Sequence, residues 1–99
     1  MSITKIQKEA LALHGARSQA IKAIEEMAEL ITALTKDLNM SPSNVEEEIA
    51  DVQIMMEQLK EVYDSKEIEK HRRRKLYRLK KRVENGVQTR LQIGVLQQA

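Results

Sequence analysis

The chain of 99 residues contains no cysteine, phenylalanine or tryptophan, and it has only two tyrosines, one proline and three glycines. Without cysteine, a disulfide framework and thiolate chemistry are both excluded. Without large aromatic side chains, a core must consist of Leu, Ile, Val, Met and Ala. Because glycine and proline are scarce, few turns are available, and the composition favours long helices over a sheet.

Long hydrophobic runs are also missing. No apolar stretch approaches the roughly 20 residues of a membrane span, and the N-terminal "MSITKIQKEA" lacks the apolar region of a signal peptide. We therefore expect a soluble cytoplasmic protein with no membrane partner. The length fits a single domain, which we place at residues 1–84. Residues 85–99 are expected to form a C-terminal tail that contacts another subunit or is flexible.

The formal net charge of +2 conceals an uneven distribution along the chain. Residues 1–64 contain six Lys/Arg and twelve Asp/Glu, whereas residues 65–99 contain eleven Lys/Arg and three Asp/Glu. Such a separation is typical of a nucleic-acid-binding tail, or of two halves that face one anion together.

Apolar residues recur at helical spacing in four segments joined by short connections. The predicted helices cover about residues 4–13, 17–39, 44–63 and 65–83. Ser43 and Asp64 each stand three residues before a glutamate, a pattern typical of helix N-caps, and Asn85-Gly86 is expected to end the fourth helix. The sequence therefore predicts an all-α fold, an antiparallel four-helix bundle.

The helices differ in how much of their surface is apolar. The second carries one apolar stripe and is amphipathic, whereas the third is apolar on more sides than two neighbours can cover. We therefore expect oligomerisation to complete the bundle. On the fourth helix, four apolar residues mark the face that is expected to be buried: Ile68, Leu76, Leu79 and Val83.

Carboxylates gather in two clusters on the second and third helices. Glu26 and Glu29 are three residues apart, as are Glu48 and Asp51, so each pair lies on one face of its helix. In an antiparallel hairpin with a central turn, Glu26 is level with Asp51, and Glu29 is level with Glu48. The four carboxylates can therefore converge between the two helices.

Converging carboxylates repel one another, and a hard cation removes that difficulty. A ligand set of oxygen atoms, with no nearby His or Cys, suits Mg²⁺ or Mn²⁺ rather than zinc, and Mg²⁺ beside positive charge suits a phosphate substrate. The alternative is that glutamate simply favours helix surfaces. We interpret Glu46 and Glu47 in this second way, because the helix dipole favours acids in the first turn.

The acidic residues also follow a family pattern. "EEMAE", residues 25–29, is followed after eighteen residues by "EIAD", residues 48–51. In this order and at this gap, the motifs resemble the EExxE…ExxD signature of MazG-like nucleoside triphosphate pyrophosphohydrolases, the all-α NTP pyrophosphatases. "KLYRL", residues 75–79, resembles the basic stretch that follows in small, phage-type members. The resemblance covers about residues 10–82.

The resemblance implies Mg²⁺-dependent hydrolysis of a nucleoside or deoxynucleoside triphosphate to the monophosphate and pyrophosphate, a house-cleaning reaction of the nucleotide pool. It implies that Glu26, Glu29, Glu48 and Asp51 are the metal ligands. Glu25 is implied as the residue that holds a second metal ion or orients the attacking water. The resemblance also implies a homodimer or homotetramer.

Four further residues are candidate substrate contacts. Gln19 is a candidate contact to the base or ribose, and Lys22 is a candidate contact to phosphate. For both, the alternative is a solvated helix face. Lys75 and Arg78 are candidate phosphate clamps, since Arg suits a bidentate contact and Lys a point contact.

Two other functions stay open. Phosphoribosyl-ATP pyrophosphohydrolase belongs to the same superfamily and shares the motif, so only the substrate distinguishes the two activities. A non-enzymatic regulatory module could use the basic fourth helix to bind nucleic acid. However, Tyr77 is the only aromatic residue in "KEIEKHRRRKLYRLKKR", and this segment has no Asn or Gln to read bases. This composition argues against nucleic acid as the main partner.

Overall fold

A computed structural model of the chain describes the backbone of residues 3–98 and the side chains of residues 3–88. The described residues form four α-helices and no β-strand, so the predicted all-α fold class is confirmed. None of these helices combines the length and the low charge that crossing a lipid bilayer requires. The chain divides into two units, Met1–Asp64 and Ser65–Ala99. The prediction of one domain at residues 1–84 stays a prediction.

Helix α1 spans Lys5–His14 and begins with a capping box. The backbone N–H of Gln7 donates to Oγ1 of Thr4 over 3.3 Å, and the backbone N–H of Thr4 donates to Oε1 of Gln7 over 2.8 Å. The Gln7 amide also donates to Oε2 of Glu57 over 2.8 Å. This single buried side chain therefore caps α1 and joins it to α3.

Helix α2 spans Ala16–Leu38 and ends in a turn that reverses the chain. The backbone N–H of Ser41 donates to the carbonyl of Lys36 over 2.9 Å, and that of Met40 donates to the carbonyl of Asp37 over 3.0 Å. Met40 has a φ of 62°, in the left-handed region that favours glycine. These hydrogen bonds satisfy backbone carbonyls at the end of α2, and the turn directs the chain toward α3.

Helix α3 spans Val45–Val62 and begins one residue later than the capping pattern predicted. The N-cap is Asn44, so the prediction of Ser43 as N-cap is wrong. No side chain caps the backbone here. The side-chain amide nitrogen of Asn44 donates to Oε1 of Glu48 over 2.8 Å. Glu46 and Glu47 lie in the first turn and are exposed, as predicted.

Helices α2 and α3 form an antiparallel hairpin with a defined register. Nε2 of Gln58 donates to Oε1 of Gln19 over 2.7 Å, and both side chains are buried. Gln19 lies seven residues before Glu26, and Gln58 lies seven residues after Asp51. This hydrogen bond therefore matches the register of the predicted Glu26–Asp51 pairing. The two pairs lie about two helical turns apart along the hairpin.

The face of α2 that packs against α3 differs from the apolar stripe seen in the sequence. The buried residues of α2 follow a spacing of three, four or seven, and they are Gln19, Ala23, Glu26 and Ala33. The apolar stripe lies outside this seam, and Ile24 and Ile31 are 63% and 65% exposed. The small alanines explain the choice of face, because they allow close approach of the two backbones.

Helix α4 forms the second unit and spans Ser65–Gln98. It continues through Asn85-Gly86, so the predicted end of the helix at this dipeptide is wrong. A glycine inside a helix costs only about 1 kcal/mol, and no proline follows that would stop the helix. The role predicted for the tail, residues 85–99, stays a prediction, and the side chains from residue 89 onward lie outside the described residues.

The apolar face predicted for α4 is not buried in the single chain. Leu76, Leu79 and Val83 are about half exposed, and Ile68 is partly exposed. Because the predicted bundle is completed by oligomerisation, the burial of this face stays a prediction. The predicted four-helix bundle stays a prediction.

Candidate metal centre

The two acidic motifs meet across the α2–α3 seam. Glu26, Glu29, Glu48 and Asp51 each offer one carboxylate oxygen, and these four atoms lie within 4.8 Å of one another. The predicted convergence of the four side chains, which we call the acid quartet, is therefore confirmed. It follows from the helix period, since i,i+3 spacing keeps each pair on one face, and from the register that the Gln19–Gln58 bond shares.

Two members of the quartet are buried without full hydrogen bonding. Glu26 and Glu48 are each 8% exposed. In each of them Oε2 is buried and has no partner among the described residues. An unpartnered buried polar atom typically costs about 1–3 kcal/mol, and more when the group is charged. A cation bound between these carboxylates would supply the partner that the two oxygens lack.

The other oxygen of each buried carboxylate is held in place. Nζ of Lys22 lies 3.0 Å from Oε1 of Glu26, and Nδ2 of Asn44 lies 2.8 Å from Oε1 of Glu48. One oxygen of each carboxylate is thus engaged at the edge of the seam, and the other is left without a donor. Such fixation is what metal ligands require, since partners outside the coordination shell set their orientation.

The carboxylates of the quartet repel one another. The nearby Glu26 and Glu48 carboxylates, together with partial desolvation, raise the pKa of Glu29 above its ordinary value. The hydrogen bond to Glu26 and its negative charge raise the pKa of Lys22, so its ammonium form is stabilised. The quartet therefore carries more negative charge than its own surroundings neutralise.

The arrangement fits Mg²⁺ or Mn²⁺. The donors are carboxylate oxygens without sulfur or imidazole, which suits a hard cation. Around Mg²⁺, with ligand oxygens at about 2.1 Å, opposite oxygens stand about 4.2 Å apart. The observed 4.8 Å limit is thus close to the span of one coordination sphere. Small side-chain rotations would bring the oxygens to ligand distance.

Glu25 lies outside the quartet but is connected to it. Its carboxylate is exposed and lies 3.8 Å from Nζ of Lys22, which also contacts Glu26. Its predicted role, holding a second metal ion or orienting water, stays a prediction. The predicted contact between Lys22 and phosphate stays a prediction as well, and in the structure the Lys22 ammonium faces these two carboxylates.

The remaining predicted substrate residues have different surroundings. Gln19 is 6% exposed, so the alternative of a solvated helix face is wrong for this residue. Its Oε1 already accepts from Gln58. Lys75 and Arg78 are exposed on α4 in the second unit. Their role as phosphate clamps, like the contact of Gln19 with base or ribose, stays a prediction.

Sequence reasoning missed two polar residues near the quartet, Asn44 and Lys36. Asn44 orients Glu48, and its position directly before the first helical residue was the available signal. Lys36 lines a cleft beside Glu29 and Glu48. It stands seven residues after Glu29, about two helical turns, which places it on the same helix face.

No protein-family model, curated protein or solved structure matches this chain. The resemblance to MazG-like enzymes stays a prediction that rests on the acidic motif.

Proposed function

We propose that the protein is a Mg²⁺-dependent pyrophosphohydrolase of nucleoside or deoxynucleoside triphosphates, similar to the MazG-like enzymes. One observation carries the proposal: four carboxylates converge within 4.8 Å, and two of them have a buried oxygen without a partner. Mn²⁺ is the alternative metal ion. A purely structural seam would gain stability from apolar residues here, so the retained acids are best explained by a ligand.

The proposed reaction places water against the α phosphorus. The water oxygen bonds to phosphorus, the bond to the oxygen that bridges the α and β phosphates breaks, and one water proton passes to a base. Bound Mg²⁺ supplies charge neutralisation and lowers the pKa of water. Glu26, Glu29, Glu48 and Asp51 hold the metal. Glu25, exposed beside the quartet, orients the water or supports a second metal ion.

Association of identical subunits is part of the proposal. The outer faces of α2 and α3 expose large apolar side chains, among them Ile24, Ile31 and Ile54. An exposed apolar patch on a small chain marks an interaction surface. A second copy presents the same face, so a homodimer or homotetramer would cover it symmetrically. Lys75 and Arg78 are proposed to contact the phosphates in the assembled enzyme.

A second candidate function rests on α4. Arg74, Arg78 and Arg82 form an i,i+4 row, and none of them pairs with a carboxylate among the side chains of residues 3–88. An uncompensated basic row suits nucleic-acid phosphates, and such binding weakens steeply with salt.

Phosphoribosyl-ATP pyrophosphohydrolase activity would use the same acid quartet and differs only in its substrate.

The proposal is tested by incubating the pure protein with Mg²⁺ and a panel of triphosphates that includes phosphoribosyl-ATP, while pyrophosphate release is measured. We expect turnover of at least one substrate, loss of turnover in EDTA, and none from an Asp51→Asn variant purified identically. If no triphosphate yields pyrophosphate, the proposal is wrong. Salt-sensitive DNA binding without metal affinity would then support the second candidate.

A further inference from the structure

A cleft opens directly beside the acid quartet, between α2 and the start of α3. Its volume is about 300 Å³, at the lower end of the roughly 300–1,000 Å³ that is typical of ligand pockets. Two quartet members, Glu29 and Glu48, form one part of its wall. The remaining lining residues are Ala28, Thr32, Ala33, Lys36 and Asn44.

With a cation at the quartet, the lining chemistry suits an anion rather than a nucleobase. No lining residue is aromatic, so the cleft offers no surface on which a base could stack. The Thr32 hydroxyl already donates to the carbonyl of Ala28. Lys36 is the one cation of the lining, and it makes no ion pair with the side chains of residues 3–88. Lys36 is therefore available to a ligand.

The position of Lys36 along α2 sets what it can reach. It lies seven residues after Glu29, which corresponds to roughly 10 Å along the helix axis. Side chains on a helix lean toward its N-terminus, so the lysine chain extends back in the direction of Glu29. A phosphate chain held at the quartet by its α phosphate would thus extend along the cleft toward the Lys36 ammonium.

We infer that this cleft is the site of the leaving pyrophosphate, and that Lys36 contacts its β and γ phosphates. The inference rests on the proposed function, because it places the α phosphate at the quartet. It goes beyond it by assigning the direction of the substrate: the phosphates lie toward the α2–α3 turn, and the base and sugar lie outside the cleft.

Binding in the cleft depends on the metal. Without a divalent cation, Glu29 and Glu48 outnumber Lys36, and the lining repels an anion. With Mg²⁺ at the quartet, the carboxylates are neutralised, and the lysine supplies the remaining positive charge. Inorganic pyrophosphate should therefore bind only when Mg²⁺ is present.

The test is calorimetric titration of the full chain with inorganic pyrophosphate in excess Mg²⁺. We expect the wild type to bind, and Lys36→Met to bind about tenfold more weakly, the loss of one charge-assisted contact. Lys36→Arg should retain most of the affinity. The matched control is Lys60→Met, an exposed lysine on α3 that lies twelve residues, or roughly 18 Å, beyond Glu48. It should bind like the wild type.

The outcomes separate this inference from the proposed function. Each variant is also assayed for triphosphate hydrolysis and for Mg²⁺ affinity, and Lys36→Met should bind Mg²⁺ at least as well as the wild type. If the wild type hydrolyses a triphosphate but Lys36→Met matches its pyrophosphate affinity and its KM, the assignment of Lys36 is wrong and the proposed function stands. If the wild type binds pyrophosphate through Lys36 but hydrolyses no triphosphate, the proposed function fails instead.

Discussion

The seam between α2 and α3 and the outer faces of the same two helices have opposite chemistry. The seam buries two carboxylates and a glutamine pair, and its buried apolar residues in these helices are Ala23, Ala33 and Met55. The outer faces expose Ile, Leu and Met side chains. A chain selected only for monomer stability would place these residues the other way round, because apolar burial is the dominant stabilising term.

We propose a separate role for each face. Without a cation, the unpartnered carboxylates of the seam lower the stability of the folded chain, because they repel one another and are desolvated. A bound cation would remove this loss. The apolar faces gain stability only when another surface covers them. The contrast predicts that neutralising the seam removes function while preserving the fold, and that charging the outer face removes assembly.

The largest expected effect follows from removing one metal ligand. Glu26→Gln should lower kcat by about a thousandfold or more, because in the proposed reaction the metal would supply most of the charge stabilisation. The control is Glu46→Gln, an exposed acid in the first turn of α3, which should keep wild-type turnover. Circular dichroism should show equal helix content in all three proteins. Wild-type kcat in Glu26→Gln would disprove the ligand assignment.

Metal removal should change stability next most strongly. At a Mg²⁺ concentration about a hundred times Kd, binding stabilises the fold by about 2.7 kcal/mol. For a domain of this size, that corresponds to a Tm increase of about 10–20 °C. Thermal unfolding with Mg²⁺ and with EDTA measures the difference. Equal Tm values would show that the quartet does not bind the cation in the folded state.

Charging the outer face should weaken assembly. Ile24 is 63% exposed in the single chain, and Ile24→Glu would place a carboxylate inside the proposed subunit contact, at a cost of several kcal/mol. We expect sedimentation to show dissociation at concentrations where the wild type is assembled. Ser18→Glu, at an exposed polar position of the same helix, is the control. A wild type that sediments as a monomer would refute the assembly proposal.

A smaller effect concerns pH in the absence of metal. The pKa of Glu29 is raised in the folded chain by Glu26 and Glu48, so the folded state holds this proton more tightly than the unfolded state. The resulting stability is fully present below the ordinary glutamate pKa, and it is lost as pH rises through the raised folded pKa. In EDTA, Glu29→Gln should therefore flatten the decline of Tm between about pH 4.5 and neutrality.

The control for this pH series is Glu61→Gln, an exposed acid near the end of α3. It should decline with pH as the wild type does. With Mg²⁺ present, Glu29→Gln should have a lower Tm than the wild type. The variant lacks one proposed ligand and therefore gains less stability from the cation. A Glu29→Gln protein whose Tm keeps the wild-type pH dependence in EDTA would contradict the repulsion within the quartet.

The sequence predicted the quartet well because its geometry depends on local rules. The i,i+3 spacing places Glu26 with Glu29 and Glu48 with Asp51, and the short connection forces the hairpin. The apolar stripe of α2 does not identify the face that packs on α3, since periodicity does not say whether the chain or a second copy covers the stripe. Alanines at the seam determined the face, and their signal is weaker than that of Ile and Leu.

The capping prediction failed for a related reason. The residues "SPSNVEEE" contain more than one residue that is favoured as an N-cap, and the pattern with Glu46 favoured Ser43. In the structure the helix begins after Asn44, whose amide is drawn to the buried Glu48 carboxylate. Asn and Ser are both favoured at the N-cap, so capping preference alone does not decide between the two positions.

The sharpest test of the quartet as a metal centre is Mn²⁺ binding, followed by calorimetry, in the wild type, Glu48→Gln and Glu47→Gln. Glu48 and Glu47 are neighbours in one helical turn, and only Glu48 is buried in the seam. We predict saturable Mn²⁺ binding by the wild type and Glu47→Gln, and at least tenfold weaker binding by Glu48→Gln. Equal affinity in all three proteins would contradict a metal site between α2 and α3.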